Sequence, residues 1–194
     1  MEILAATNNG HKLIELRAIL EPQGITVLSA ADVGGIDEVV EDADTFEGNA
    51  LKKAIETAAA KKMVVFADDS GLCVDALDGR PGVLSARYAG DNASDTDRMS
   101  KLLGELEQHN DKTARFVCVI ALASPKGSIG TARGECLGKI NHTPQGNDGF
   151  GYDPLFIPDG FDKTFAELGE EVKNSLSHRG NALKKAIAEK LFEF

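Results

Sequence analysis

The stretch that most constrains this chain is Met63-Val64-Val65-Phe66-Ala67-Asp68-Asp69-Ser70-Gly71-Leu72, a short apolar run ending in two carboxylates, a hydroxyl and a glycine. Its length and its Val-Val-Phe centre read as a buried strand, because β-branched and aromatic side chains suit a pleated, buried surface. The acids then fall where the strand leaves its sheet, and Gly71 permits a sharp turn there. Open α/β sheets bind ligands outside the carboxyl ends of their strands, which puts Asp68 and Asp69 at a site position. Successive strand residues face opposite ways, so the turn must re-aim one acid. Such a pair suits a general base or a hard cation, since Mg2+ takes one or two carboxylates and leaves its other positions to water and phosphate. Taken alone, the stretch reads slightly better as a solvated turn in which Asp68 and Ser70 bond the local backbone. The rest of the chain shifts that balance.

With 194 residues, 42% hydrophobic and 27% charged, the chain can bury a full core as one domain or two small lobes. Its formal net charge of −10 argues against nucleic acid or an anionic membrane as partner, because both require a large basic footprint. Cys73, Cys118 and Cys136 are odd in number, widely spaced and set among apolar residues, as expected of reduced core thiols in a cytoplasmic protein. They show no zinc spacing. The N-terminus has no basic n-region and no cleavage site, so no secretory signal is expected, and no apolar run is long enough to span a bilayer.

Glu2 to Ala6 reads as a strand and His11 to Leu20 as a helix with Leu13, Leu16 and Leu20 on its apolar stripe, stopped by Pro22 and Gly24. Between them lies the polar turn Thr7-Asn8-Asn9-Gly10-His11-Lys12. Free N–H groups and the positive end of a helix dipole suit such a turn to phosphate, although it lacks the glycine spacing of a Walker A loop and a plain connection is the commoner outcome. An acidic segment from Asp37 to Asp44 leads to Thr45, a plausible cap for a helix running to about Lys62. Ala50, Ala54 and Ala58 make a small-residue stripe on it, while Asn49 and Lys53 share another face one turn apart. Glycine-rich Asp78 to Gly90 reads as an ordered loop or lid. Ser94 and Asp97 form a capping pair for a helix with Met99, Leu102, Leu103 and Leu106 inward. Arg115 to Ala123 and Ile129 to Leu137 predict a long antiparallel hairpin, and hence a mixed sheet.

The segment Gly146-Asn147-Asp148-Gly149-Phe150-Gly151-Tyr152-Asp153-Pro154 sets aromatic and acidic side chains among glycines. It reads equally as a stacking platform for a flat ring, with Asp153 accepting from a base edge, and as an aromatic plug with a turn-forming Asp-Pro. Lys173-Asn174-Ser175-Leu176-Ser177-His178-Arg179 opens the last helix, with Ser177 as its cap and Ala182, Leu183, Ala186, Ile187 and Leu191 as its packing face. Cations at a helix N-terminus are unfavourable unless something polar or negative binds there, so His178 and Arg179 mark a functional position.

Together these motifs resemble the inosine/xanthosine triphosphate pyrophosphatase family over nearly the whole chain. The resemblance rests on Thr7 to Lys12, Thr45-Phe46 with Asn49-Ala50 and Lys53-Ala54, Ala67 to Leu72, Pro81-Gly82-Val83 with Ser85-Ala86-Arg87-Tyr88, Phe150 to Pro154, and Ser177-His178-Arg179. It implies hydrolysis of ITP, dITP and XTP to monophosphate and pyrophosphate, clearing them from the nucleotide pool. It also implies one pyrophosphatase domain over residues 1–194, an α/β fold with an elongated mixed sheet flanked by helices, two lobes with a nucleotide cleft between them, and a cytoplasmic homodimer. Carried over by position, Asp69 is the catalytic acid/base, and Glu41, Asp69 and Asp68 hold Mg2+, for which Mn2+ can substitute. The triphosphate falls to Thr7, Asn8, Asn9, Gly10, His11, Lys12, Lys53, Ser70 and Lys173. The base falls to Phe150 and Gly151, with Tyr152, Asp153, His178 and Arg179 around its edge. One departure stands out: Gly48 occupies the position where the family usually has a glutamate, and Glu47 one residue earlier faces elsewhere. A helix-interior glycine costs about 1 kcal/mol relative to alanine, and metal affinity is expected to be weaker than is usual in the family.

Two other functions are compatible with parts of the pattern. A nucleotide-binding sensor would keep the lysines and the base pocket but has no use for Glu41, Asp68 and Asp69 beside the phosphates. A haloacid-dehalogenase-type phosphatase also ends a strand in an aspartate, but its Asp-x-Asp spacing is absent here.

Overall fold

The computed structural model describes residues 1–193. In chain order its main elements are β1 (Glu2–Ala5), α1 (Gly10–Leu20), β2 (Thr26–Leu28), α2 (Phe46–Lys61), β3 (Val65–Val74), α3 (Asp95–Leu106), β4 (Thr113–Ser124), β5 (Gly127–Ile140), β6 (Phe156–Pro158), α4 (Phe165–Leu168), α5 (Glu170–Leu176) and α6 (His178–Ala188). The strands form one sheet in the order β2-β1-β3-β4-β5-β6. Because β1 runs parallel to β2 and β3 while β5 and β6 are antiparallel, the fold is a mixed α/β sheet flanked by helices.

Local chemistry sets the helix starts, at the predicted caps Thr45, Ser94 and Ser177 and at Asn9, a cap not predicted from the sequence. The Asn9 side chain accepts from the N–H groups of His11 and Lys12, and the Thr45 hydroxyl accepts from Gly48. Ser94 and Asp97 satisfy each other's backbone N–H groups in a capping box. Ser177 caps α6 by accepting from the Gly180 N–H at 3.1 Å. Each cap fills a donor that the first helical turn leaves without an internal acceptor.

Strand β3 departs from expectation. It does not end at the acids but runs ten residues, so Asp68, Asp69 and Ser70 lie in mid-strand and Gly71 is a strand residue rather than a turn. Leu72 and Val74, both fully buried, extend the apolar run beyond the polar insertion. The glycine-rich segment after it is ordered: residues Gly82–Arg87 form a 3-10 turn. The buried Ser85 hydroxyl accepts from the Leu72 N–H at 2.9 Å and donates to the Gly82 carbonyl at 2.6 Å.

The chain divides into two compact units, with boundaries inside β3 (Asp69/Ser70), β4 (Val117/Cys118) and β5 (Gly134/Glu135). The first comprises Met1–Asp69, Cys118–Gly134 and the chain from Ala182 onward, around a core of Ile3, Leu16, Leu20, Phe66, Ile120 and Leu183. Ala50, Ala54 and Ala58 of α2 are all fully buried, as their spacing predicts. The second comprises Ser70–Val117 and Glu135–Asn181, around Leu72, Leu102, Leu106, Phe116, Phe156 and Phe165. Its aromatic centre is continuous, with ring centroids 4.6 Å apart for Phe116 and Phe156 and 5.2 Å for Phe156 and Phe165. All three cysteines are buried and outside any disulfide, and burial pushes the Cys136 thiol up to about 12. Among the described residues no helix is long and apolar enough to cross a membrane.

Candidate active site

The first unit gathers the acids and two of the lysines. Asp68 and Asp69 are consecutive in the middle of β3, and the charge of Lys53 interacts with both. Asp68, 1% exposed, takes the Lys12 ammonium at 3.0 Å, delivered by the first turn of α1, and lies 3.9 Å from the Cys118 sulfur. Asp69, 6% exposed, accepts from the Asn49 side-chain amide of α2 at 3.0 Å. One helical turn on from Asn49, Lys53 pairs with Glu41, while Lys52 pairs with Asp42 at 2.6 Å. Thr7 to Lys12 forms the entry to α1: the Thr7 hydroxyl accepts from the Asn9 N–H at 3.1 Å, and the Asn9 side-chain oxygen accepts from the His11 and Lys12 N–H groups. Asn8, Gly10 and His11 are exposed.

Burial raises the Asp69 carboxyl to about 6, with the charge of Glu41 adding to the shift and the Asn49 amide, Lys53 and Lys12 opposing it. Burial works to lower the Lys53 ammonium, but Asp68, Glu41 and Asp69 outweigh it and leave the net shift upward. The two carboxylates Glu41 and Asp69 therefore lie within each other's field. Among the described residues no group of three or more His, Cys, Asp or Glu side chains forms a metal cluster. A hard cation that keeps most of its water needs only one or two carboxylates, and an all-oxygen pair whose charges repel fits Mg2+.

The second unit gathers the residues expected at the base. Asp153, 3% exposed, accepts at one oxygen from the Phe150 N–H at 2.9 Å and the Lys173 ammonium at 2.7 Å. That ammonium also lies 4.5 Å from the Phe150 ring centroid. Lys173 is thus brought together with Phe150 and Asp153, whereas Lys12 and Lys53 belong to the first unit. Gly149, at φ +79°, sits where an added Cβ would lie 2.3 Å from the Asp153 carboxylate, so only glycine lets the chain wrap this closely. The Gly151 N–H donates to Asp95 at 2.7 Å. Tyr152 is a core residue whose hydroxyl donates to the Ser85 carbonyl at 3.0 Å. Arg179, 1% exposed, donates to the Ser70 hydroxyl at 3.1 Å, and the His178 ring stacks on Phe116 at 4.8 Å.

These placements can be set beside known proteins. The Ham1 family model matches residues 3–189. The chain belongs to the Ham1 family. This Ham1 protein is similar to the dITP/XTP pyrophosphatase of Desulforamulus reducens, with 51% identity over 189 residues covering 96% of this chain and 94% of that one. It is 52% identical over 183 residues to the enzyme of the same name from Geobacter sulfurreducens, covering 93% of this chain and 92% of that one. Among solved structures it is similar to the Ham1 protein of Staphylococcus aureus, with a TM-score of 0.85, 41% identity, and coverage of 97% of this chain and 98% of that one. A HAM1 protein from Coxiella burnetii gives a TM-score of 0.89 at 38% identity over all of both chains.

The structure adds two residues to which the sequence analysis gives no role in this Ham1 protein. Asn49 contacts Asp69 directly, and Asp95 ties the backbone of Gly151 to the start of α3, its other oxygen being paired with Arg98. The helical spacing of Asn49 and Lys53 is a usable signal for the first. Asp95 carries no such signal, because its contact spans 56 positions of sequence.

Proposed function

We propose that this Ham1 protein is a nucleoside triphosphate pyrophosphatase that hydrolyses ITP, dITP and XTP to monophosphate and pyrophosphate. The observation that carries this reading is the buried Asp68–Asp69 pair with Lys12 on one acid and Lys53 beside the other. An acidic protein that takes up a polyphosphate needs cations at the reacting end and an acid able to handle a proton there, and both are present. Relatives at about half identity that carry the name dITP/XTP pyrophosphatase support the substrate class.

In this reading Glu41 and Asp69, with Asp68 beside them, hold Mg2+. When bound, the ion supplies neutralisation of phosphate charge and a lowered pKa for coordinated water. Asp69 orients the attacking water and takes its proton, Asn49 keeps the Asp69 carboxylate in place, and Lys12, Lys53, Ser70 and the Thr7 to Lys12 turn hold the triphosphate. Phe150 supports the base, while Lys173 holds Phe150 and Asp153. Arg179 and His178 face the base edge. The same reading takes the protein as a cytoplasmic homodimer, which sedimentation of the purified chain tests. Product analysis tests the activity: one pyrophosphate per ITP supports it, and orthophosphate as the first product overturns it.

Two predictions follow from the charges. Lys12→Ala and Lys53→Ala should each raise KM for ITP about tenfold or more while changing the inhibition constant of IMP little, because each lysine acts as a point charge on phosphate. A change in the ratio of ITP to ATP turnover in either variant contradicts that assignment. Since Asp69 accepts a proton only when ionised, kcat/KM at subsaturating Mg2+ should fall about tenfold per pH unit below about 6 and level off above it. A profile flat from about pH 5 to 8 removes Asp69 as the base.

A further inference from the structure

We infer that Asn49 is the positioning residue that fixes the Glu41 segment and Asp69 to each other, and that Gly48 is the glycine that lets this happen. The inference rests on the reading of Glu41 and Asp69 as the metal carboxylates. The Asn49 side chain is 1% exposed and used at both ends: its carbonyl accepts from the Ala43 N–H at 2.9 Å, and its amide donates to Asp69 at 3.0 Å. A planar amide with one acceptor and one donor end holds the loop and the strand in one rigid relation. Two ion pairs continue the seam, Asp42 with Lys52 at 2.6 Å and Glu41 with Lys53, so residues 41–43 lie along the first turns of α2. Helix and loop meet most closely at Gly48, where an added Cβ would lie 2.7 Å from the Ala43 Cβ and 3.1 Å from the Thr45 hydroxyl. No side chain at position 48 leaves the loop where it is.

This reverses the expectation drawn from the missing glutamate. In this chain Gly48 is the condition for docking Glu41, and Gly48→Glu weakens metal binding instead of restoring it. Glu47 offers no substitute, since its carboxylate accepts from the Thr131 hydroxyl at 2.8 Å.

The test is Mn2+ binding to the full chain without nucleotide, followed by the paramagnetic resonance of the free ion, beside the melting temperature of each metal-free variant. Asn49→Ala should raise the Mn2+ dissociation constant about 10- to 100-fold, the usual effect of losing a group that orients a ligand. Gly48→Ala and Gly48→Glu should raise it about tenfold with both Asn49 end groups retained. Ala43→Gly, which removes the atom the new Cβ meets, should return the Gly48→Ala variant to within about threefold of wild type. A lower melting temperature with an unchanged dissociation constant, in Asn49→Ala or in Gly48→Ala, overturns the inference by showing a purely structural contact. If Asn49→Ala does not fold, the Gly48→Ala and Ala43→Gly pair decides, and failure of rescue counts against the inference. Asp69→Asn separates the two levels: unaltered Mn2+ binding there sinks the metal assignment itself, whereas weakened binding there with normal binding in Asn49→Ala sinks only the role of Asn49.

Discussion

Asp69→Asn is expected to lower kcat for ITP by at least about 10² and up to about 10⁴, with nucleotide still bound within a few-fold of wild type. The substitution is nearly isosteric, and its carbonyl oxygen can still accept the Asn49 amide that Asp69 accepts at 3.0 Å. What disappears is the negative charge and the capacity to take a proton from water. Weaker hold on the metal adds to the loss of the base, so the combined effect belongs at the upper end of that range. Pre-steady-state and steady-state rates on ITP, with nucleotide affinity measured by calorimetry, separate chemistry from binding. A variant with near-wild-type kcat eliminates Asp69 from the mechanism, and one that loses nucleotide affinity in proportion to rate makes it a binding residue only.

The second large effect is on selectivity. Hypoxanthine and xanthine carry a keto oxygen at purine position 6, whereas adenine carries an amino group there. In the proposed reading Arg179, which is fully buried, faces the base edge; it offers donors and cannot accept, so an adenine amino group would meet a second donor there. A buried polar group left without a partner costs about 1 to 3 kcal/mol and more when charged, and sites built around one hydrogen bond reject an analogue by roughly 10⁴. Arg179→Ala should therefore cut kcat/KM for ITP by about 10² or more, change kcat/KM for ATP far less, and collapse the ratio. Stacking on Phe150 is blind to base identity and should not alter that ratio when Phe150 is replaced by Leu. Because Arg179 also donates to the Ser70 hydroxyl at 3.1 Å, an equal fall for both nucleotides would mean that it serves the phosphates through Ser70.

What the sequence made legible was local. The caps at Thr45, Ser94 and Ser177 are read from side chains within a few positions of the donors they satisfy, and the structure has all three. Long hairpin strands β4 and β5 were visible for the same reason. The length of β3 was not, because paired acids look like the end of a strand when their partners are out of view. Lys12 lies 56 positions before Asp68 and Asn49 lies 20 before Asp69, so the groups that make a mid-strand acid pair tolerable are supplied by other elements. The same distance hid the company of Lys173: a lysine in a helix gives no sign that it lies against a carboxylate and a phenyl ring 20 or more positions earlier.

The burial of Asp69 sets catalysis against thermodynamic stability. Folding raises its pKa from 3.8 to about 6, so the folded chain binds this proton more tightly than the unfolded chain does. The contribution of this one group to folding stability is therefore fully present below about pH 4, is lost as pH rises to about 6, and stays lost at neutral pH. The penalty is on the order of 3 kcal/mol, a large part of what holds an ordinary domain together. Asp69→Asn removes it, and the variant that no longer turns over substrate should melt several degrees higher than wild type at pH 7.5 in the absence of metal, with the gap closing near pH 4. Selection for heat resistance alone would discard this carboxylate, and its presence in the middle of a strand marks what the chain gives up in stability in order to act on a phosphate anhydride.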